Sequence, residues 1–480
     1  MPTWIVPRFI LMATEQICLS DQTPIRYSLP SPMTLSRRHF FALASASTAS
    51  VILASPLKEV FAKKALGKSF RAKGFGSLQP DPNQLLDLPA GFSYKVLSRT
   101  GDTMSDSNLV PGRPDGMAAF PAPAGNTVLV RNHELSPHQL DKHGLVAVEY
   151  IKYDPMCLGG TTTLVVGANG QLVKQYTSLA GTERNCSGGP TPWGSWITCE
   201  ESTVTPTTYP VDDPRSVSMK HGYNFEVPIT GQVVQAEPLV AMGRFNHEAV
   251  AVDPNTGIVY QTEDRMDGLF YRFIPKEPGN LKAGGVLEAL KIKGTFQKIT
   301  VKNFPVGKPM AVEWVRIEDV DPKGDTVRVE GFAKGATQFT RGEGAWYGNN
   351  EVYFTCTSGG SLNPKTGWAN GAGQVWRYVP GSTPQEGGTI ELFVESHDRS
   401  LLEHPDNVTI SPSGDLILCE DGGGDQFLVG VNPKGELYQL ARNAINNSEF
   451  AGACFSPNGR TMFVNIQEPG ITFAIQGPWV

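Results

Sequence analysis

Carboxylates gather at the ends of short apolar strands in this sequence, with neighbours spaced to face one way. Asn132 and Glu134 stand two apart, as do Asn246 and Glu248, and Arg341 and Glu343. Residues two apart on a strand point to the same side, so each pair presents its polar groups together. Asp115, Asn185, Glu200 with Glu201, Glu263 with Asp264, Asp406 with Asn407, and Glu420 with Asp421 stand at similar strand ends. Carboxylates converging in this number repel one another and take up protons unless cations neutralise them. Oxygen-rich clusters suit hard cations such as Ca2+. Cys186, in "RNCSGGPTPWG", sits at a strand start where its thiolate can join the acids. A soft ligand there argues for a transition metal beside any calcium. Arg341 is the one basic residue of the set that shares a strand side with an acid, and its planar fork suits an anionic oxygen group. Metals with an arginine describe a site for phosphate. Arg184 and Arg244 flank similar motifs and are weaker candidates. His133 and His247 alternate with the polar groups and should face away from them.

These residues need a scaffold that brings many strand ends to one place. Six segments share one shape, an apolar strand closed by a small residue and two more: "VLVRNHE", "SWITCEE", "IVYQTED", "VYFTCTS", "LILCEDG" and "MFVNIQ". The small residue is Asn132, Cys199, Thr262, Cys356, Cys419 and Asn465 in turn, and Ser358 closes the fourth copy. A turn and an earlier strand precede each copy, and one or two strands follow. Val, Thr, Ile, Phe and Tyr dominate these runs, bounded by Gly, Pro, Asn and Asp. Such internal repetition predicts an all-β fold, a six-bladed β-propeller with four-stranded blades. The last copy ends after "ITFAI", and "GFSYKVLSRTG" (91–101) is placed to supply its missing outer strand. Closing the ring in this way removes an exposed sheet edge. The gap between Thr262 and Cys356 is long and predicts an insertion near 280–335.

The chain has 480 residues, a formal charge of -6 and a 40% apolar composition, which suits a large globular core and gives no reason to expect nucleic-acid binding. None of its seven cysteines forms a CxxC pair. Cys199, Cys356 and Cys419 occupy one repeat column and read as interior packing; Cys157 and Cys454 read as structural. Near the N-terminus, "LSRRHFFALASASTASVILAS" puts Arg37 and Arg38 ahead of a modest apolar run, and "VFA" at 60–62 offers small side chains for cleavage. This reads as a twin-arginine export signal over 33–62. Residues 1–32 read as an extension ahead of a start at Met33, 63–84 as a linker and 85–480 as the propeller. The apolar run is too short to span a membrane. The expected partners are the twin-arginine export machinery and a small substrate, and the expected product is a periplasmic or secreted monomer.

The blocks "RNHE", "NCSGGPTPWGSWITCEES", "GRFNHEAVAVDP", "YQTEDR", "RGEGAWY", "HPDNVTISPSGDLILCEDGG" and "FAGACFSPNGRTMFVNIQEPG" resemble those of the PhoX-type alkaline phosphatases, in a compact subgroup with fewer insertions between blades. The resemblance implies phosphomonoester hydrolysis in a propeller channel that holds iron, as Fe(III), and Ca2+, with a cysteine among the iron ligands. Carried onto the matching positions, it implies Cys186 as an iron ligand, with Glu201, Glu248 and Glu343 as acidic metal ligands. Asn132, Glu134, Glu420 and Asp421 follow as calcium-side or supporting groups, and Arg341 as the phosphate clamp. Two alternatives stand beside it: a calcium propeller acting on lactones or other esters, and a non-catalytic propeller that binds metal or an anionic ligand. Neither needs Cys186 as a ligand.

Overall fold

The computed structural model describes residues 72–139, 151–360 and 371–479; the expected export signal lies outside the described residues. The fold is all-β and propeller-like. Its only long-range departure from strands and turns is a seven-residue helix, Val327–Ala333, among the described residues. Six antiparallel pairs recur along the chain, each an inner strand followed by a second strand. The inner strands are Pro114–Pro121, Asn185–Pro190, His247–Val252, Gly342–Gly348, Pro405–Ile410 and Phe450–Phe455. Each packs against the inner strand of the next pair, and the last returns to the first, closing a ring.

Outward from this ring the chain builds five hydrogen-bonded sheets. Two have the predicted four strands. In one, Ser93–Arg99 pairs antiparallel with Ile471–Gln476, so an N-terminal strand completes the C-terminal sheet as the sequence predicts. The sheet that begins at Asn185 has three strands rather than four. Its expected outer strand, "AEPLVAM", is reduced to a single bridge at Pro238 and a 3-10 turn over Val240–Met242. Pro238 has no N–H to give a ladder, which limits pairing there.

The predicted insertion carries more order than a loop. Gly285–Ile292 is the outer strand of the pair that starts at His247, and Met310–Arg316 pairs with it on one side and with Thr389–Glu395 on the other. That strand joins two ladders into one nine-stranded sheet. The expected linker is also part of the fold over its described portion. Leu78–Gln79 pairs with Leu86–Pro89, which in turn extends the sheet edge at Leu437–Asn443. Phe75 packs edge-on to Phe92, Tyr438 and Trp479, so an apolar anchor overrides the polar, loop-like composition of the segment.

Strands such as Leu416–Glu420 ("LILCE") are buried along their whole length because sheets stack on both faces. Apolar clusters fill the spaces between neighbouring sheets; Phe270 stacks on Phe354 at 4.3 Å across one of them. Cys199, Cys356, Cys419 and Cys454 are fully buried in these clusters, as packing cysteines should be. Around the axis the inner strands touch backbone to backbone. A Cβ on Gly189 would stand 1.9 Å from the carbonyl oxygen of Val250 on the next inner strand. Gly189→Ala should therefore destabilise the fold by about 1–3 kcal/mol through overpacking, read as a lower urea midpoint at unchanged m-value.

Candidate active site

Each inner strand is tied to its partner at the same end of the ring by one backbone hydrogen bond. The N–H of Glu134 donates to the carbonyl of Arg113 at 3.0 Å, and that of Glu201 to Arg184 at 3.0 Å. The same bond links Asp264 to Asn246 (3.1 Å), Thr357 to Arg341 (3.1 Å), Asp421 to His404 (3.0 Å) and Gln467 to Glu449 (3.2 Å). The bonds align three columns of side chains. The first is Arg113, Arg184, Asn246, Arg341, His404 and Glu449. The second lies two residues on: Asp115, Cys186, Glu248, Glu343, Asp406 and Ala451. The third is Glu134, Glu201, Asp264, Thr357, Asp421 and Gln467. Arg113, Arg184, Arg341 and His404 hold left-handed backbone, with φ of 47°, 51°, 58° and 49°. Four equivalent positions in a conformation that costs a non-glycine residue free energy mark the entry to the inner strands as a specialised turn.

Donor atoms at the columns meet in three groups, two of them sharing Glu248, each with its atoms within 4.8 Å of one another. Cys186, Glu201 and Glu248 form one; Glu248, Glu343 and Asp406 the next; Asp115, Glu134 and Glu449 the third. Burial and then mutual repulsion push these acids up. Glu248 is raised well above its ordinary range by burial, Glu343 and Asp406. Asp115 is raised by burial, Glu134 and Asp406. Burial lifts Glu343 to about 7 against the pull of Arg341, and burial with Glu343 lifts Asp264 to about 7. Burial, Glu248 and Glu201 hold the Cys186 thiol well above its usual value. Glu134 is the exception: burial opposes ionisation, but Arg113 and Arg184 together hold it below its ordinary value. Arg184 bridges Glu134 at 3.0 Å and Glu201 at 2.6 Å. Arg341 Nη1 binds Asp264 Oδ2 at 2.8 Å and Nη2 approaches Glu343 at 3.3 Å, with 38% of its side chain exposed.

Of the predicted residues, Cys186, Glu201, Glu248, Glu343, Glu134 and Arg341 come together. Asp421 stands at the exposed rim, where its charge acts on Glu343 and Glu449. Glu420 and Asn132 are not brought into the donor groups. Glu420 accepts the backbone N–H groups of Glu403 at 2.7 Å and Phe427 at 3.0 Å, so it holds loops behind the rim. Glu200 and Glu263 occupy the same middle position and likewise bind backbone N–H groups. Strand alternation explains it: the middle residue points away from the third column. Asn132 is fully buried and fully bonded. Its Nδ2 donates to the carbonyls of Cys186 (3.0 Å) and Ser187 (2.7 Å), and its Oδ1 accepts from Trp196 and Thr198. It clasps the backbone that carries the thiol. His133 and His247 turn away from the donor groups, as predicted, to Gly112 and Gly243. Arg244 spends its guanidinium on backbone carbonyls, including that of His221 at 2.8 Å.

The structure adds Glu449 and Arg113, and it puts Asp115 and Asp406, noted in the sequence only as strand-end acids, into the donor groups. Asp115 and Asp406 share the column of Cys186, Glu248 and Glu343, so aligning inner strands instead of second strands would have ranked them equally. Glu449 falls where three of the other positions are arginine, and nothing in its neighbourhood marks it. Thr357, not Ser358, closes the fourth copy, because Gly342 pairs with Cys356 and shifts that register by one residue. Thr357 then donates to Glu343 at 2.7 Å.

The donor set fits metal ions: a thiol and carboxylates face one another, and Asp115 Oδ1 is buried with no hydrogen-bond partner. Among solved structures, Pseudomonas fluorescens PhoX in complex with vanadate, a transition state analogue, superposes with a TM-score of 0.62 at 18% identity, covering 82% of this chain and 96% of that one, which speaks for a shared fold. A gluconolactonase from Xanthomonas campestris (TM-score 0.40, 11% identity, 84% and 98% covered) and a Staphylococcus aureus virginiamycin B lyase (0.37, 10%, 80% and 99%) are too loosely alike to carry weight. No curated protein matches the sequence significantly. The family description "Alkaline phosphatase PhoX" matches residues 73–470, most of the chain. The chain thus belongs to the PhoX alkaline phosphatase family and is a phosphoric monoester hydrolase.

Proposed function

We propose that the hydrolysis takes place at the converging columns, with Fe(III) and Ca2+ as the metals. The observation that carries this is the meeting of Cys186 with Glu201 and Glu248, and of Glu248 with Glu343 and Asp406. A thiolate beside carboxylates suits iron, and the all-oxygen groups suit calcium. Cys186, Glu201, Glu248 and Glu343 would hold the iron side; Glu134, Asp115 and Glu449 would serve calcium, with Asp421 at the rim. When bound, such ions supply Lewis acidity toward a phosphoryl oxygen.

The chain's own residues bind and orient the ester. Arg341 is anchored through Nη1 to Asp264 and leaves its fork partly open to the mouth. Burial opposes its charge, but Glu343 and Asp264 outweigh that and raise its pKa, so it stays charged at alkaline pH and can pair with a dianionic phosphate. Asn132 positions Cys186 through two backbone carbonyls and takes no direct part. The stacked inner strands keep the buried acids from bulk water. We count the nine-stranded sheet as two blades joined by Met310–Arg316, which gives six blades with the other four sheets. The twin-arginine pattern at Arg37 and Arg38 supports an exported, periplasmic or secreted protein. No helix among the described residues is long and apolar enough to cross a membrane.

Hydrolysis of a generic aryl phosphate by metal-replete protein, abolished by chelator, is the expected result; a fully metallated protein without turnover would sink the proposal. Cys186→Ser should lose iron and activity together, measured by elemental analysis and assay of the same sample. Arg341→Lys keeps the charge and loses the fork, and should lower kcat by about 10²–10³-fold.

Removing metal should also invert the pH response of stability. The acids raised to about 7 bind protons in the folded state that the unfolded chain releases near its ordinary carboxylate range. Folding then weakens as pH rises through that window. Metal-free protein should melt at a lower temperature at about pH 8 than at about pH 5, and saturating metal should remove that loss, as calorimetry can read.

A further inference from the structure

A second set of donors converges away from the three columns, behind Glu201. Asp154, Cys157 and His221 are fully buried, and their ligand atoms lie within 4.8 Å of one another. His221 Nε2 stands 3.5 Å from Cys157 Sγ and 3.2 Å from Asp154 Oδ2. A tetrahedral zinc with bonds of about 2.3 Å to sulfur and about 2.0 Å to nitrogen or oxygen sets its donors roughly 3.3–3.6 Å apart. The observed spacings are close to those edges. On its other side, His221 Nδ1 lies 2.7 Å from Glu200 Oε1. A carboxylate there fixes the proton on Nδ1 and turns the Nε2 lone pair toward Cys157 and Asp154, the arrangement that supports metal-bound histidine.

Asp154 is oriented for the same task. Met156 N and Ser218 Oγ donate to its Oδ1, and Ser218 N and Met219 N to its Oδ2. Glu183, buried nearby, acts electrostatically on both Cys157 and His221. We propose that Asp154, Cys157 and His221 hold a structural divalent ion of the zinc class, with Glu200 orienting His221.

The exchange balances. Without the ion, Cys157 keeps its thiol proton and His221 carries protons on both nitrogens between two carboxylates. One divalent cation replaces the Sγ proton and the Nε2 proton, so two protons leave and the buried charge is unchanged. The mixed sulfur, nitrogen and oxygen donors favour a borderline ion over calcium. The ion would tie the segment ahead of strand Gly159–Val166 to the long loop between Ser195–Glu200 and Asn224–Pro228, the loop that begins at Glu201.

Cobalt(II), a spectroscopic stand-in for zinc, tests this in the full chain with Cys186→Ser, which removes the channel thiolate. A near-ultraviolet thiolate-to-cobalt band should appear. Adding Cys157→Ser should abolish the band and the loss should equal one cobalt per chain by elemental analysis. Should that variant fail to fold, His221→Gln in the same background should lose the same equivalent. No band in the Cys186→Ser protein, or a band that survives either second substitution, overturns the assignment.

Discussion

Like charge held out of water at one end of the ring is the constraint on which the rest of the structure depends. Carboxylates there outnumber arginines, and most are buried. Repulsion between Glu248, Glu343 and Asp406 works against folding unless protons or cations intervene. The apolar clusters between sheets must supply enough stability to hold that arrangement together. The close backbone contacts around the axis serve the same end, because they leave the acids little room to move apart.

Strand alternation divides the work at the site. One residue at each second-strand end faces the other columns, and its predecessor faces the loops behind. Glu201 and Glu420 look alike in sequence, each in a pair of acids after a cysteine. In space they do opposite things: Glu201 meets a thiol and an arginine, whereas Glu420 takes backbone N–H groups.

The repeat pattern, and with it the all-β ring and its N-terminal closing strand, was legible in the sequence because each copy carries the same apolar run and turn. Cys186, Glu201, Glu248, Glu343, Glu134 and Arg341 were singled out by type, strand position and family resemblance, and the fold brings them together. Glu420 falls on the supporting side of its expectation, because alternation turns it away from Asp421 and toward the loops behind. Asn132 likewise falls on the supporting side, and sequence leaves that open because an amide that bonds four partners looks like one that offers an oxygen. Glu449 was missed because its contribution is long-range: only ring closure brings it beside Asp115 and Glu134. The truncated sheet at Asn185 and the strand Met310–Arg316 lie where local composition is neutral and tertiary pairing decides.

That extra strand has a mechanical consequence. Met310–Arg316 fastens the ladder carrying Glu248 to the ladder carrying Glu343, so those two walls move as a single slab. The three-stranded sheet beside them has no such brace on its outer edge, and it bears Cys186 and Glu201. The ring is thus tied by an extra strand on one flank and not on the other. Were ions to occupy the channel as proposed, one side of their site would be braced by that strand, and the side bearing Cys186 would not.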